Sequence, residues 1–201
     1  IIGMGTGLVL ASSIIDRRSD NFAKNHAAAG WMKGGVRVGN ALPWLGFAGA
    51  AVAALDGSDP VRSRTGYAAV EAGATAYMAA TGLKYLVGRS RPDAGLGSRN
   101  FDALGTDASN SAFPSRHAAV AWAVATPFAE QYRAPWLYGL AGLTSLARIG
   151  SREHWVSDAV GGSVLGYVIG RAFHESARDA DRRGPRLVVG PRSIGLSWLT
   201  D

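Results

Sequence analysis

Runs of small and branched apolar residues, each broken before it makes a clean membrane span, limit this chain more than any other feature. Residues 41–55 form one such run but contain Pro43, residues 134–147 contain Pro135, residues 159–170 are short, and residues 66–83 include Glu71. A helix crossing a bilayer needs roughly 20 consecutive apolar residues, so each run is short or flawed for that purpose. They read instead as buried or amphipathic helices of a bundle, with a membrane-attached form of the same bundle as the alternative. The chain has 47% hydrophobic and 18% charged residues among 201, enough apolar material for a packed core and too little charge for a disordered chain. It has no cysteine, which excludes disulfides, thiolate metal sites and a cysteine nucleophile. A chain that opens on Ile1 reads as a processed or trimmed product, and residues 1–15 as the remainder of a removed segment or a first helix.

Apolar periodicity predicts helices over residues 9–25, 44–55, 62–87, 115–131, 135–147 and 152–181, with little β structure. The expected fold is all-α, a helical bundle. Gly162, Gly166 and Gly170 recur at intervals of four, which puts small residues on one face and lets a neighbouring helix approach closely. Residues 90–113 hold Pro92, Gly95, Gly97, Gly105, Ser109, Asn110 and Ser111, a long loop of the kind that carries function. One domain over residues 1–183 is expected. A tail over 184–201, with Ile194, Leu196 and Trp198 alternating with small residues, reads as a strand or hairpin. The net charge of +6 favours anionic surfaces or substrates in general, but no block is basic enough for nucleic acid.

Three clusters suit a phosphate ester. Lys84 stands near the end of a predicted helix and Arg91-Pro92 at the mouth of the long loop, so two cations face one opening. Lysine supplies a compact charge and arginine a fork that matches two phosphate oxygens. Next, Phe113-Pro114-Ser115-Arg116-His117 runs into an apolar helix whose first amides, with the Ser115 hydroxyl, suit an anion, and His117 lies one turn away. Taken alone, Ser115 reads as an ordinary cap and His117 as a surface histidine. In the third cluster Arg148 is followed by His154 and Asp158, and spacing of four on a helix lets the carboxylate accept a hydrogen bond from Nδ1–H and leave Nε2 free with its lone pair outward. The same pair is also the spacing of half a metal site or of a plain surface contact.

In this order, Lys-x6-Arg-Pro, Pro-Ser-x-His and Arg-x5-His-x3-Asp resemble the three-part signature of the phosphatidic acid phosphatase type 2 superfamily, which includes bacterial acid phosphatases and vanadium haloperoxidases. The resemblance runs from Lys84 to Asp158. It implies that Lys84, Arg91, Ser115 and Arg148 hold phosphate oxygens, that His154 attacks phosphorus, that Asp158 orients it, and that His117 protonates the departing alcohol. It implies a metal-independent phosphatase with no cofactor, because fixed cations neutralise the charge a metal ion would meet. The substrate it implies is a phosphomonoester or pyrophosphate of a lipid or other amphiphile, with membrane contact and a periplasmic or periplasm-facing location. A vanadate-dependent haloperoxidase and a non-catalytic anion-binding envelope protein are the alternatives. Arg116 stands where the family has glycine; it disfavours a positive φ, and its guanidinium adds a phosphate contact, meets a second charged group of the substrate, or points to solvent. Arg89, Arg99 and Arg152, near the motifs, read as surface residues, with lining of the opening as the alternative, His26 and His174 as structural or solvated, and Trp122, Trp136 and Trp155 as core or pocket wall.

Overall fold

The computed structural model describes residues 2–105, 107–183, 186–190 and 193–197. The fold is all-α. Helices α1 (Ile2–Ser12), α2 (Asp16–His26), α3 (Gly30–Ala54), α4 (Pro60–Val87), α5 (Arg116–Tyr132), α6 (Trp136–Gly150) and α7 (Val156–Arg183) follow one another, and strands β1 (Arg186–Gly190) and β2 (Ser193–Ser197) pair antiparallel with Arg186 opposite Ser197.

Local chemistry explains the boundaries. Asp59 caps α4 by accepting from the amides of Val61 and Arg62, and Pro60 fills the first helical position, where no amide bond is needed. The predicted helix over 9–25 is split by a 3-10 turn at Ser13–Ile15. Helix α3 begins well before the predicted residue 44 and carries Pro43 inside it. Its early glycines and Pro43 conceal the helix from local propensity, which tertiary packing overrides. Gly39, the residue four before Pro43, sits so close to α6 that an added Cβ would lie 2.3 Å from the Cβ of Ala147.

The core is built from alanine. Ala72, Ala76 and Ala80 of α4 meet Ala119 and Ala123 of α5, with Leu165, Ile169 and Phe173 of α7 packed against them. Small side chains let helices approach until backbone nearly meets backbone. A Cβ placed on Gly162, Gly166 or Gly170 would come within 2.3, 2.1 or 2.7 Å of the carbonyl oxygens of Ser115, Ala119 or Ala123. The glycine stripe is therefore the α5–α7 contact, and it presses together the two helices that follow the second and third clusters.

The long loop folds back on the end of α4. Gly88 (φ +59°) ends that helix in the left-handed region, and an added Cβ would lie 1.8 Å from the Asp102 carbonyl, so both conformation and space require glycine. Beyond it the backbone of residues 88–91 is held on two sides. Asp102 donates to Gly88 at 2.7 Å and Ser90 to Asn100 at 3.0 Å, while Arg91 donates to Ser109 at 2.9 Å and Ala112 to Arg89 at 2.8 Å.

Large apolar side chains remain on the outside. Met4 and Leu8 of α1, Trp44, Leu45 and Val52 of α3, and Trp136, Leu143 and Leu146 of α6 are all exposed. Among the described residues no helix is long and apolar enough to cross a membrane.

Candidate active site

Lys84 stands in the last turn of α4, and its ammonium donates to the carbonyl of Ser111 and reaches that of Ala112 at 3.4 Å. Arg91, just beyond, donates from Nη2 to the Ser111 hydroxyl at 2.9 Å. Arg148, buried in the last turn of α6, donates from Nη1 to Asn40 of α3 at 2.6 Å and from Nη2 to the carboxylate of Glu153. Glu153 also lies 3.7 Å from Nη1 of Arg91. The Ser111-Ala112 segment thus gathers Lys84 through its carbonyls and Arg91 through the Ser111 hydroxyl, and Glu153 ties Arg91 to Arg148.

His154 joins this cluster. It is 3% exposed, and its Nδ1 lies 2.6 Å from the carbonyl oxygen of Ala112. A carbonyl only accepts, so Nδ1 carries the hydrogen and Nε2 keeps its lone pair. Burial first, then the charges of Lys84 and Arg148, hold the imidazole well below its ordinary pKa, against the opposing bond to Ala112.

The expected hydrogen bond from His154 to Asp158 is absent, and the reason is the helix boundary. Helix α7 starts at Val156, so His154 lies in the preceding turn and does not share a helix face with Asp158. The Asp158 Oδ2 is 3.9 Å from Nδ1 and accepts instead from the amide of Trp155 at 2.8 Å, while Oδ1 accepts from Arg89 at 2.5 Å. Burial pushes the Asp158 carboxyl up to about 6, with the neighbouring Arg89 charge opposing.

The second cluster supplies the start of α5. Ser115 is fully buried and caps the helix, its hydroxyl facing the amide of Ala118 at 3.5 Å. Its own amide donates to the Asp158 carbonyl at 2.9 Å, which locks the second motif to the third. His117 sits edge-on to Trp44 with ring centroids 5.8 Å apart. Its pKa is pushed down to about 4 by burial and then by Arg148, Arg116, Lys84 and Arg91, so the ring lies within the field of all four cations. Lys84 is pushed down to about 7, chiefly by burial and next by Arg91.

Arg116 lies in the first turn of α5 with ordinary helical backbone, so a positive φ is not needed there. Its side chain is half-buried. It stacks over Tyr77 at 4.6 Å and reaches the Thr81 hydroxyl at 3.5 Å. Among buried side-chain atoms, the Nε–H groups of Arg91, Arg116 and Arg148 have no protein partner. Fixed donors of this kind, crowded enough to depress the pKa of a lysine, suit a tetrahedral oxyanion.

Of the other residues singled out, Arg99 is exposed, and Arg152 pairs with Asp20 of α2 at 2.6 Å. His174 is buried, and His26 stacks on Phe22 at 4.2 Å. Trp155 is buried, its indole donating to the Ser90 carbonyl at 2.8 Å; Trp122 is half-buried; Trp136 is an exposed groove wall. Arg89 contradicts the surface reading, being 6% exposed and ion-paired to Asp16 and Asp158. Its partner Asp16 lies far away in sequence, so nothing local announced the burial. Glu153, Asn40 and the Ala112 carbonyl were also missed, and only the spacing of Glu153 from Arg148 offered a signal. Among the described residues no three His, Asp or Glu side chains stand where they could share a metal ion.

The family model described as PAP2 superfamily matches residues 66–182, more than half of the chain. A lipid A 1-phosphatase of Porphyromonas gingivalis is 40% identical over 93 residues, covering 43% of this chain and 18% of that protein. The chain therefore spans under a fifth of that relative's length. No solved structure gives a significant match.

Proposed function

The chain belongs to the PAP2 superfamily, and from that premise we propose that it is a metal-independent phosphatase acting on a lipid or other amphiphilic phosphomonoester or pyrophosphate through a phosphohistidine at His154. One observation carries the reading: Lys84, Arg91 and Arg148 converge on an imidazole whose Nδ1–H is committed to the Ala112 carbonyl.

In the proposed reaction the cations and the Ser115 hydroxyl hold the phosphoryl oxygens. His154 Nε2 attacks phosphorus, the ester P–O bond breaks, and His117 gives its proton to the leaving oxygen. Phosphate dianion reverses the field that depresses the His117 pKa, so the substrate itself favours the protonated acid. Water then attacks the phosphohistidine, His117 takes the water proton, and inorganic phosphate leaves. Asp158, close to the imidazole without bonding to it, supplies counter-charge to the phosphorylated ring.

The amphiphile is supported by a groove of about 610 Å³ between α3, α5 and α6, lined by Leu42, Leu45, Ala121, Phe128, Leu140 and Thr144 among others. Its inner end adjoins the site, since Ala121 lies one turn from His117 on α5 and Thr144 one turn from Arg148 on α6. The relative's name, a lipid A phosphatase, points the same way. Exposed apolar residues of α1, α3 and α6 support contact with a lipid surface, and a periplasmic or periplasm-facing location completes the reading.

Turnover of an aryl phosphate in the presence of chelator tests the core of this reading. His154→Ala should fall to background and His117→Ala should lose roughly 10²–10⁴-fold in kcat. Activity that survives in His154→Ala overturns the assigned nucleophile.

A further inference from the structure

Bonded to the Oδ1 atom of Asp158 is a buried pair, Arg89 with Asp16, that the proposed reaction leaves without a role. Arg89 makes five hydrogen bonds inside the protein. Nε and Nη2 donate to the Ser98 carbonyl at 3.0 and 2.8 Å, Nη2 also to Asp16 at 2.8 Å, and Nη1 to the Ser157 hydroxyl at 2.7 Å and to Asp158 at 2.5 Å. A guanidinium has five N–H donors, so none is left for a ligand. Arg89 is therefore not a further phosphate-binding group, although it sits between Lys84 and Arg91 in sequence.

The two carboxylates it bridges both cap α7. Asp158 reaches back to the Trp155 amide at 2.8 Å, and Asp16, at the start of α2, accepts from the Ser157 amide at 3.0 Å and from its hydroxyl at 2.7 Å. These amides are among those a helix start leaves unpaired, and the dipole there favours negative charge. Asp16 is 1% exposed and Asp158 fully buried, so two anions share one cation out of water. His154 stands next to this capped turn, one residue before Trp155.

We infer that Arg89, together with Asp16, is a positioning group for His154, fixing the Asp158 carboxylate and the first turn of α7 so that the imidazole is held against Ala112 with an anion 3.9 Å from Nδ1. The inference rests on the phosphohistidine reading, because the counter-charge matters most when the ring carries phosphate. The charged and titratable groups facing Asp158 are Arg89 from the segment after α4, Asp16 from α2, Lys84 from α4 and His154 from the turn before α7. Arg89 lowers the Asp158 pKa and Asp16 raises it. The two partners therefore act on Asp158 in opposite directions.

That opposition gives the test. The full chain and its Arg89→Gln, Arg89→Lys and Asp16→Asn variants are assayed on aryl phosphate across pH, with His154→Ala as blank. Arg89→Gln should lower kcat by roughly a hundredfold with KM within about twofold, the loss expected when a reacting group is misplaced. The acid limb of its kcat profile should move up by roughly one pH unit or more. Arg89→Lys should restore part of kcat and return the limb toward its original place, whereas Asp16→Asn should move it down. If Arg89→Gln does not fold, the downward shift in Asp16→Asn decides, and an unmoved limb there overturns the inference. Loss of amplitude with unmoved limbs in all variants assigns a purely structural role and also overturns it. An inactive wild type, or an active His154→Ala, refutes the phosphatase reading itself and is recognised without the Arg89 variants.

Discussion

Glu153 puts a carboxylate among the cations that the proposed reaction reserves for phosphate, bound to Arg148 and 3.7 Å from Arg91. It relieves their mutual repulsion, yet it competes for the same donors. Its side chain is 32% exposed, so it can swing toward water when a stronger anion arrives. Glu153→Gln should therefore tighten inhibition by inorganic phosphate by roughly three- to tenfold, since one like-charge competitor is removed at a cost near 1 kcal/mol. Weaker inhibition, read as a higher Ki, would instead make Glu153 the group that orients Arg148. At this scale the sequence showed the cations and histidines, because motif spacing reports residue types at fixed separations. It concealed Arg89, whose burial depends on Asp16 in another helix, and it misassigned the hydrogen bond of His154. A spacing of four has the intended meaning only where both residues are helical, and α7 begins two residues too late for that.

Among elements, the contact between α5 and α7 determines whether the motifs meet at all. Helix α5 carries His117 and α7 carries Asp158, and the Ser115 amide bonds the Asp158 carbonyl where they cross. The glycine stripe sets that distance, with a Cβ on Gly166 falling 2.1 Å from the Ala119 carbonyl oxygen. Backbone cannot yield as a flexible side chain would. Gly166→Ala should then cost about 1–3 kcal/mol of unfolding free energy and lower activity together with stability, as denaturant titration and an aryl phosphate assay would record. Gly139→Ala on α6, where an added Cβ meets nothing within 4 Å, should gain up to about 1 kcal/mol from helix propensity and serves as the contrast. A stabilised Gly166→Ala would show that the helices have room to part. The stripe was legible because small residues at intervals of four have one efficient use, close packing. The early start of α3 was not, since Pro43 and its neighbouring glycines are local breakers that only the contacts of α3 with α4, α5 and α6 overcome.

For the whole molecule, the question is why a bundle with a polar, cation-rich site leaves so much apolar surface outside. Leu45 and Trp136 are 66% and 65% exposed, and both line the groove that opens one turn from His117 and Arg148. A chain serving only small soluble phosphates gains nothing from that arrangement, whereas one that draws an amphiphile from a lipid surface needs a continuous apolar path to the phosphate site. The path makes a quantitative demand. Each methylene of an n-alkyl phosphate that enters the groove removes about 0.8 kcal/mol of apolar surface from water, which is about fourfold in kcat/KM. A series of n-alkyl phosphates below their critical micelle concentrations should therefore climb steeply with chain length and level off once the groove is full. Ala125→Phe, which fills the groove wall away from the cations, should flatten the slope while leaving the shortest ester and aryl phosphate unchanged. A flat series in the wild type would remove the amphiphile from the proposal and leave the phosphohistidine chemistry standing. A slope that persists in Ala125→Phe would move the hydrocarbon chain to the other large apolar recess, between α1, α6 and α7.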